Sequence, residues 1–244
     1  MKILVLILAF NEEKTIGRVI EESRLQLPEA DILVVNDGST DGTKNILDRQ
    51  KDIYVLHLPF NMGIGGAIWT GFNFFCQRDY EILVRIDGDG QHPPSQAKNL
   101  IKALISEDID CVIGSRFLER EGYLSSLHRR GGIKLLNFLT AFLLGEKITD
   151  NTSGFRAYKS NAVCLLTKDY PFDYPEPIEV YLLHRSGFRI KEIPAKMKER
   201  EEGISSISLF HSYYYLIKVL LTILVNFIFG GRNEPVSNRP NPDI

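Results

Sequence analysis

Two carboxylates separated by a single glycine, Asp87 and Asp89, have the plainest chemical meaning in this sequence. They repel one another unless a cation lies between them or one of them is protonated. Such a pair suits a hard divalent ion, Mg²⁺ or Mn²⁺, which completes its shell with waters and ligand phosphates. Gln91 and His92 follow on the same segment and offer further ligands, and Pro93-Pro94 stiffens its exit. The plain alternative is an Asp-Gly turn with solvated carboxylates.

Further polar clusters recur along the chain. Asn11 and Glu12 follow the first apolar run. Asp37 stands in Asn36-Asp37-Gly38-Ser39-Thr40-Asp41-Gly42-Thr43, where a carboxylate can accept hydrogen bonds from a ribose or a base edge. It can equally make an Asx-turn or cap a helix, the role expected of Asp41. Gly63, Gly65 and Gly66 would let backbone approach a ligand closely, or simply form a tight loop. They are not the dinucleotide fingerprint, because Ile68 stands where its last glycine belongs. Arg116, Arg120, Arg129, Arg130 and Lys134, with His128, form a basic stretch diluted by Glu119 and Glu121. Guanidinium forks match phosphate oxygens. A solvated helix face serves as well for Arg120 and Lys134, whereas Arg116 sits at a strand end. Asp150-Asn151-Thr152-Ser153-Gly154-Phe155-Arg156 is a compact polar turn, and Arg200 lies among acids with which it could form a surface ion pair.

These clusters need a scaffold, and the apolar pattern supplies one. Strands are expected at 3–9, 32–36, 53–58, 82–86 and 111–114, with helices at 15–25, 43–50, 65–77 and 95–106 between them. Short apolar strands alternating with amphipathic helices imply an α/β fold with a mostly parallel sheet. Such sheets bind ligands beyond the carboxyl ends of their strands, where all five polar segments would converge. The opening MKILVLILAF resembles a leader, but Asn11-Glu12-Glu13 follow at once and no small-x-small site appears. It reads as a strand buried on both faces.

The chain has 244 residues and a mass of 27.8 kDa, the size of one α/β domain. Its 29 Lys and Arg against 31 Asp and Glu give a net charge of −2, without the basic excess of a nucleic-acid binder. Three cysteines with no C-x-x-C pair argue against a disulfide scaffold and a zinc knuckle, and for a reducing compartment. Residues 209–229 are largely apolar, with Lys218 and His211 as the possible charges. The uncharged part, 219–229, is shorter than the about 20 residues a span requires, and Tyr213, Tyr214 and Tyr215 suit a membrane interface. This segment is expected to be a helix that lies on the membrane, packs on its own domain or a partner, or crosses marginally. The Gly/Pro/Asn-rich residues 231–244 are expected to be disordered.

Taken in order, these residues resemble family 2 glycosyltransferases of the GT-A fold. The similarity is greatest to the dolichol-phosphate mannose synthase and polyprenyl-phosphate glycosyltransferase branch. It rests on A-F-N-E at 9–12, N-D-G-S-T-D-G-T at 36–43, N-x-G-x-G-x-A at 61–67, D-G-D-G-Q-H-P-P at 87–94, G-S-R at 114–116, D-N-T-S-G-F-R at 150–156 and E-R-E-E-G-I-S at 199–205. The resemblance implies a Rossmann-like catalytic domain over 1–206, an apolar membrane-associated or partner-binding helix over 207–230 and a polar tail. It implies a nucleotide-sugar donor held by Ala9, Asn11, Glu12, Asp37, Gly63, Asp87, Gly88, Asp89 and Arg200. Asp87, Asp89 and Gln91 would bind Mg²⁺ or Mn²⁺. Arg116, Arg129, Arg130 and Ser205 would hold the phosphate of a lipid acceptor. Asp89, Arg116, Arg200 and Asp150 would carry the chemistry. Relatives often have Ser-Lys where this chain has Ser205-Ser206, so one positive charge is missing. The implied setting is the cytoplasmic face of a membrane, with the membrane surface or a membrane subunit as partner. The C-terminal helix could also bury against a second copy of the chain.

The expected reaction is metal-dependent and inverting, moving a hexose from GDP-mannose or a UDP-sugar to a polyprenyl phosphate. A sugar hydroxyl as nucleophile needs a general base, and Asp150, Glu176 and Glu179 are the candidates. A phosphate monoester needs none, its second pKa being about 6. The nearest rival is a glycosyltransferase acting on a hydroxyl of a surface polysaccharide. Nucleotidylyl transfer would place a Gly-rich Arg-Lys loop after the first strand, where Asn11-Glu12 stands. A non-catalytic binding module would have no use for the repelling Asp87/Asp89 pair.

Overall fold

The computed structural model describes residues 1–118, 148–168, 170, 175–198 and 221. Four β-α repeats and a fifth strand open the chain: β1 (Ile3–Ala9), α1 (Ile16–Gln26), β2 (Asp31–Asn36), α2 (Thr43–Leu47), β3 (Tyr54–His57), α3 (Gly63–Cys76), β4 (Ile82–Asp87), α4 (Ala97–Ser106) and β5 (Cys111–Ser115). After a gap in the described residues come β6 (Arg156–Lys159), α5 (Ser160–Leu166), α6 (Pro175–Arg185) and β7 (Ile190–Pro194). The strands form one seven-stranded sheet in the order β3-β2-β1-β4-β6-β5-β7. β1 pairs in parallel with β2 and β4, β2 with β3, and β5 with β7. Only β6 runs antiparallel, to β4 and β5 on either side. The sheet is thus mostly parallel, as the sequence pattern implies.

Every residue of β1 is buried, which explains an unbroken apolar run in place of alternation. Leu4, Leu6 and Leu8 face one core layer with Phe72, Phe75 and Tyr158. Ile3, Val5 and Ile7 face the other with Ile16, Ile20, Leu100 and Leu104. Helix α1 buries Ile16, Val19, Ile20 and Ser23, the one-face spacing of an amphipathic helix. α3 lies close to the sheet at Gly71, where a Cβ would stand 2.5 Å from Leu6.

The structure departs from the sequence pattern in places that affect the site. Helix α3 begins at Gly63, ahead of the expected start at 65, so the whole glycine cluster forms its first turn and none of it is a loop. The helix expected at 95–106 is split into a 3₁₀ turn, Pro94–Gln96, and α4, following Pro93. β6 and β7 were not expected. Each has four or five residues and carries charges, too short and too polar for the alternation to show. The expected helix at 207–230 (apart from Leu221) and the tail at 231–244 lie outside the described residues. Among the described residues no helix is long and apolar enough to cross a membrane.

Candidate active site

The parallel register brings the strand ends together. Ala9 pairs with Asn36 and Leu8 with Asp87, so the segments after β1, β2 and β4 leave the sheet side by side. Side chains sew the first two together. Asn11, at a φ of 57°, accepts from the Thr40 N–H at 2.8 Å and donates its own N–H to Ser39 Oγ at 2.9 Å. The Glu12 N–H donates to Thr43 Oγ1 at 2.8 Å. Asp41 accepts from the N–H groups of Thr43 and Glu13, the local turn role expected of it.

Asp37 is buried, and its Oδ1 accepts the Met62 N–H at 2.7 Å. Burial pushes this carboxyl up, and the N–H groups of Met62 and Gly63 oppose that shift. One of its oxygens therefore ties the end of β2 to the start of α3, and with it Gly63. Beside it Gly38, at a φ of +66°, packs against the Phe60 and Asn61 backbone.

Asp87 ends β4 and Asp89 lies two residues beyond. Between them the Gly88 N–H donates to Leu8 O at 2.8 Å, and Gly88 O accepts from Thr15 Oγ1 at 2.7 Å. A Cβ on Gly88 would stand 2.8 Å from Leu8 O, so this position needs glycine. Asp89 Oδ1 accepts the Gln91 N–H at 2.9 Å, while the Gln91 side-chain amide faces Lys198 O at 3.5 Å. His92 is not a further metal ligand at Nδ1, because that atom accepts the Asp87 N–H at 3.1 Å. Its ring is buried and stacks on Phe155 at 5.4 Å between centroids. Burial pushes the imidazole down to about 4, so it is neutral at neutral pH. His92 thus props Asp87 from behind. Among the described residues no three His, Cys, Asp or Glu side chains gather as a metal site. The donors at hand are two carboxylates on one short loop. That set fits Mg²⁺ or Mn²⁺, whose remaining positions go to water and phosphate oxygens.

Arg116 follows β5 and is gripped by Asp150. Nε lies 2.8 Å from Oδ2 and Nη2 lies 2.6 Å from Oδ1, and Nη2 also reaches Thr152 Oγ1 at 2.7 Å. Asp150 is in turn placed by Glu192 of β7, which accepts from the N–H groups of Thr149 and Asp150, each at 2.7 Å. Burial pushes the Glu192 carboxyl up, and those donors oppose it. Nothing in the sequence singles out Glu192, a lone acid in a short charged strand.

Two of the candidate bases belong to a buried ion network. Glu179 is fully buried, 2.9 Å from Arg85 and 2.9 Å from Arg156, and accepts from the hydroxyls of Tyr158 and Tyr170. Burial alone would raise its carboxyl, but the two guanidiniums hold it below the usual carboxylate range. Glu179 is therefore a structural counter-ion and not a base. Glu176, in the first turn of α6, faces Arg85 at 3.4 Å, and burial pushes its carboxyl up. The sequence signal for Arg85 is a single basic residue inside the apolar run Ile-Leu-Val-Arg-Ile that leads to Asp87. Arg129, Arg130, Arg200 and Ser205 lie outside the described residues. Ala9, Asn11, Glu12, Asp37, Asp87, Gly88, Asp89 and Arg116 stand at or just beyond the ends of β1, β2, β4 and β5, while Gly63 opens α3 and Asp150 lies in the turn that leads into β6.

Comparison with known proteins gives the family and the fold. The model of the family described as Glycosyl transferase family 2 matches residues 4–166. An undecaprenyl-phosphate mannosyltransferase of Micrococcus luteus is 32% identical over 231 residues, covering 85% of this chain and 88% of its own. A polyprenol monophosphomannose synthase of Mycolicibacterium smegmatis is 32% identical over 220 residues, covering 84% and 80%. The crystal structure of glucosyl-3-phosphoglycerate synthase from Mycobacterium tuberculosis, in complex with Mn²⁺, UDP and phosphoglyceric acid, is similar with a TM-score of 0.67. That likeness covers 93% of this chain and 78% of the other at 22% identity, and it is one of fold. With the family model spanning all of the sheet from β1 to β6, this chain belongs to glycosyl transferase family 2.

Proposed function

We propose that the protein transfers a hexose from a nucleotide sugar to a polyprenyl phosphate, with inversion and with a divalent metal, at the cytoplasmic face of a membrane. The observation that carries this reading is the pairing, on one sheet edge, of a carboxylate pair (Asp87 and Asp89) with an arginine held out by a buried acid (Arg116 and Asp150). One suits a metal-bound diphosphate and the other a second phosphate. Two relatives that cover most of the chain bear names with the same acceptor chemistry.

Asn11, Glu12 and Asp37, with the start of α3, would hold the nucleoside. Asp87 and Asp89 would hold the metal, which when bound supplies positive charge to the departing diphosphate. Arg200 would add to that charge from the segment beyond β7. Asp150 fixes the Nε–Nη2 edge of the Arg116 guanidinium, so the cation is oriented before the acceptor arrives and no reorganisation is needed in the transition state. Arg129, Arg130 and Ser205 would complete the acceptor site. A phosphate oxygen attacks the anomeric carbon opposite the leaving group. The bond to the diphosphate breaks, and its electron pair leaves with the diphosphate. The nucleophile is already an anion near neutral pH, its second pKa being about 6, so no proton need be removed. This suits a site in which Asp150 and Glu179 are both committed to arginines.

Purified protein incubated with polyprenyl phosphate, Mn²⁺ or Mg²⁺ and a panel of labelled nucleotide sugars tests this directly. Label should enter the organic phase with one donor and vanish with chelator. Metal-dependent nucleotide binding with no lipid product would overturn the acceptor and turn the search to a hydroxyl, with Glu176 as the remaining candidate base.

A further inference from the structure

Arg85 and Arg156 are both fully buried, and so is the Glu179 between them. Burying such a network is an inefficient way to gain stability, because well-packed apolar side chains often do as well. What these arginines supply is direction. Arg85 Nε donates to Gly154 O at 2.8 Å. Arg156 donates to Ser153 O at 2.8 Å, to Asn151 O at 2.9 Å and to Glu176 O at 3.0 Å. The turn from Asp150 to Gly154 is therefore hung from two guanidiniums that Glu179 holds in place.

That turn touches both halves of the site. Its first residue, Asp150, grips Arg116. Its last, Gly154, is packed so tightly on the carboxylate of Asp87 that a Cβ there would stand 3.2 Å from Asp87 Oδ2 and 3.3 Å from His92 Cε1. Arg85 lies two residues before Asp87 on β4, so a single strand carries both the anchor of the turn and the carboxylate it presses upon.

We propose that Glu179 is a positioning residue, which acts through Arg85, Arg156 and the Gly154 backbone to set the carboxylate of Asp87 for metal binding. This rests on the reading that Asp87 and Asp89 hold the metal. Helix α6 is coupled to the donor site by this route.

The test is calorimetric and needs no turnover. The Mn²⁺ concentration that half-saturates UDP or GDP binding is measured for the full chain and for Glu179→Gln, at a temperature where circular dichroism shows both folded. The variant should need about tenfold more Mn²⁺, the lower end of what outer-shell changes do to metal affinity, with nucleotide binding in chelator unchanged. A Glu179→Gln protein that melts earlier but keeps the wild-type Mn²⁺ requirement would show a merely structural role and overturn the proposal. Should Glu179→Gln not fold, Tyr170→Phe removes one hydrogen bond to Glu179 and leaves every charge. It should raise the requirement about threefold, as the loss of one hydrogen bond implies, and no change would overturn the proposal. Gly154→Ala tests the last link, and must also raise the requirement if the turn bears on Asp87. If the unaltered chain binds nucleotide without regard to Mn²⁺, the metal reading itself is wrong.

Discussion

Arg116 and Asp150 meet at two points, with the carboxylate wholly buried and the guanidinium partly open to solvent. The acid is the fixed member and the cation is the presented one. Arg116→Ala should strand a buried carboxylate and lower stability by about 3 kcal/mol, read from urea unfolding. Adding Asp150→Ala should recover part of that loss, since the stranded charge goes with it. Arg116→Lys should not restore acceptor use, because an ammonium cannot make the two-point contact. Donor binding should be spared in all three variants.

Asp87→Asn and Asp89→Asn should each weaken Mn²⁺-dependent nucleoside diphosphate binding by about a hundredfold. Sugar transfer should fall with it. Chelator should mimic both variants in the unaltered protein, and melting temperature in chelator should be little changed by either. Calorimetry with and without metal checks this.

His92 gives the metal-free protein an acid limit. The unfolded chain takes up this proton near pH 6.5 and the folded chain only near 4. The stability from the neutral ring is full above pH 6.5 and is lost as the pH falls toward 4. The gap corresponds to about 3 kcal/mol. Urea unfolding in chelator across this range should show the loss, and His92→Asn should flatten it.

Gly38→Ala should damage the nucleoside side of the site. A Cβ there would lie 2.5 Å from the Phe60 carbonyl carbon, on a backbone that already has a φ of +66°. The strain should be about 1–3 kcal/mol, and relief would pull the turn after β2 away from the one after β3. Nucleotide affinity should drop while lipid-phosphate binding is kept.

The first five strands and the polar segments after them were legible because each carries its own local signal. Residues 3–9 are apolar throughout, and Asp87-Gly88-Asp89 follows a strand at once. What stayed hidden depends on contacts between distant parts of the chain. Glu179 reads as one of three candidate general bases, and only the fold brings it to Arg85, 94 residues away. His92 sits beside two carboxylates and reads as a ligand, yet burial against Phe155 turns it into a prop. The start of α3 was blurred because glycine weakens helices, so the pattern placed it at 65, whereas the helix begins at Gly63.

β6 lies between β4 and β5 although it is made after both. During synthesis, β3, β2, β1 and β4 can pair as soon as residue 87 has emerged, so the nucleoside edge and the carboxylate pair can form early. β4 is then left with an open edge and β5 with no neighbour until residues 156–159 arrive. An open edge of this kind invites pairing with another chain. The strand that closes it begins with Arg156, so the step that ends the exposure also brings in the Asp150 turn and sets one of the two guanidiniums that Glu179, made later, will lock. Nascent chains halted before that point should be the ones that aggregate or recruit chaperones.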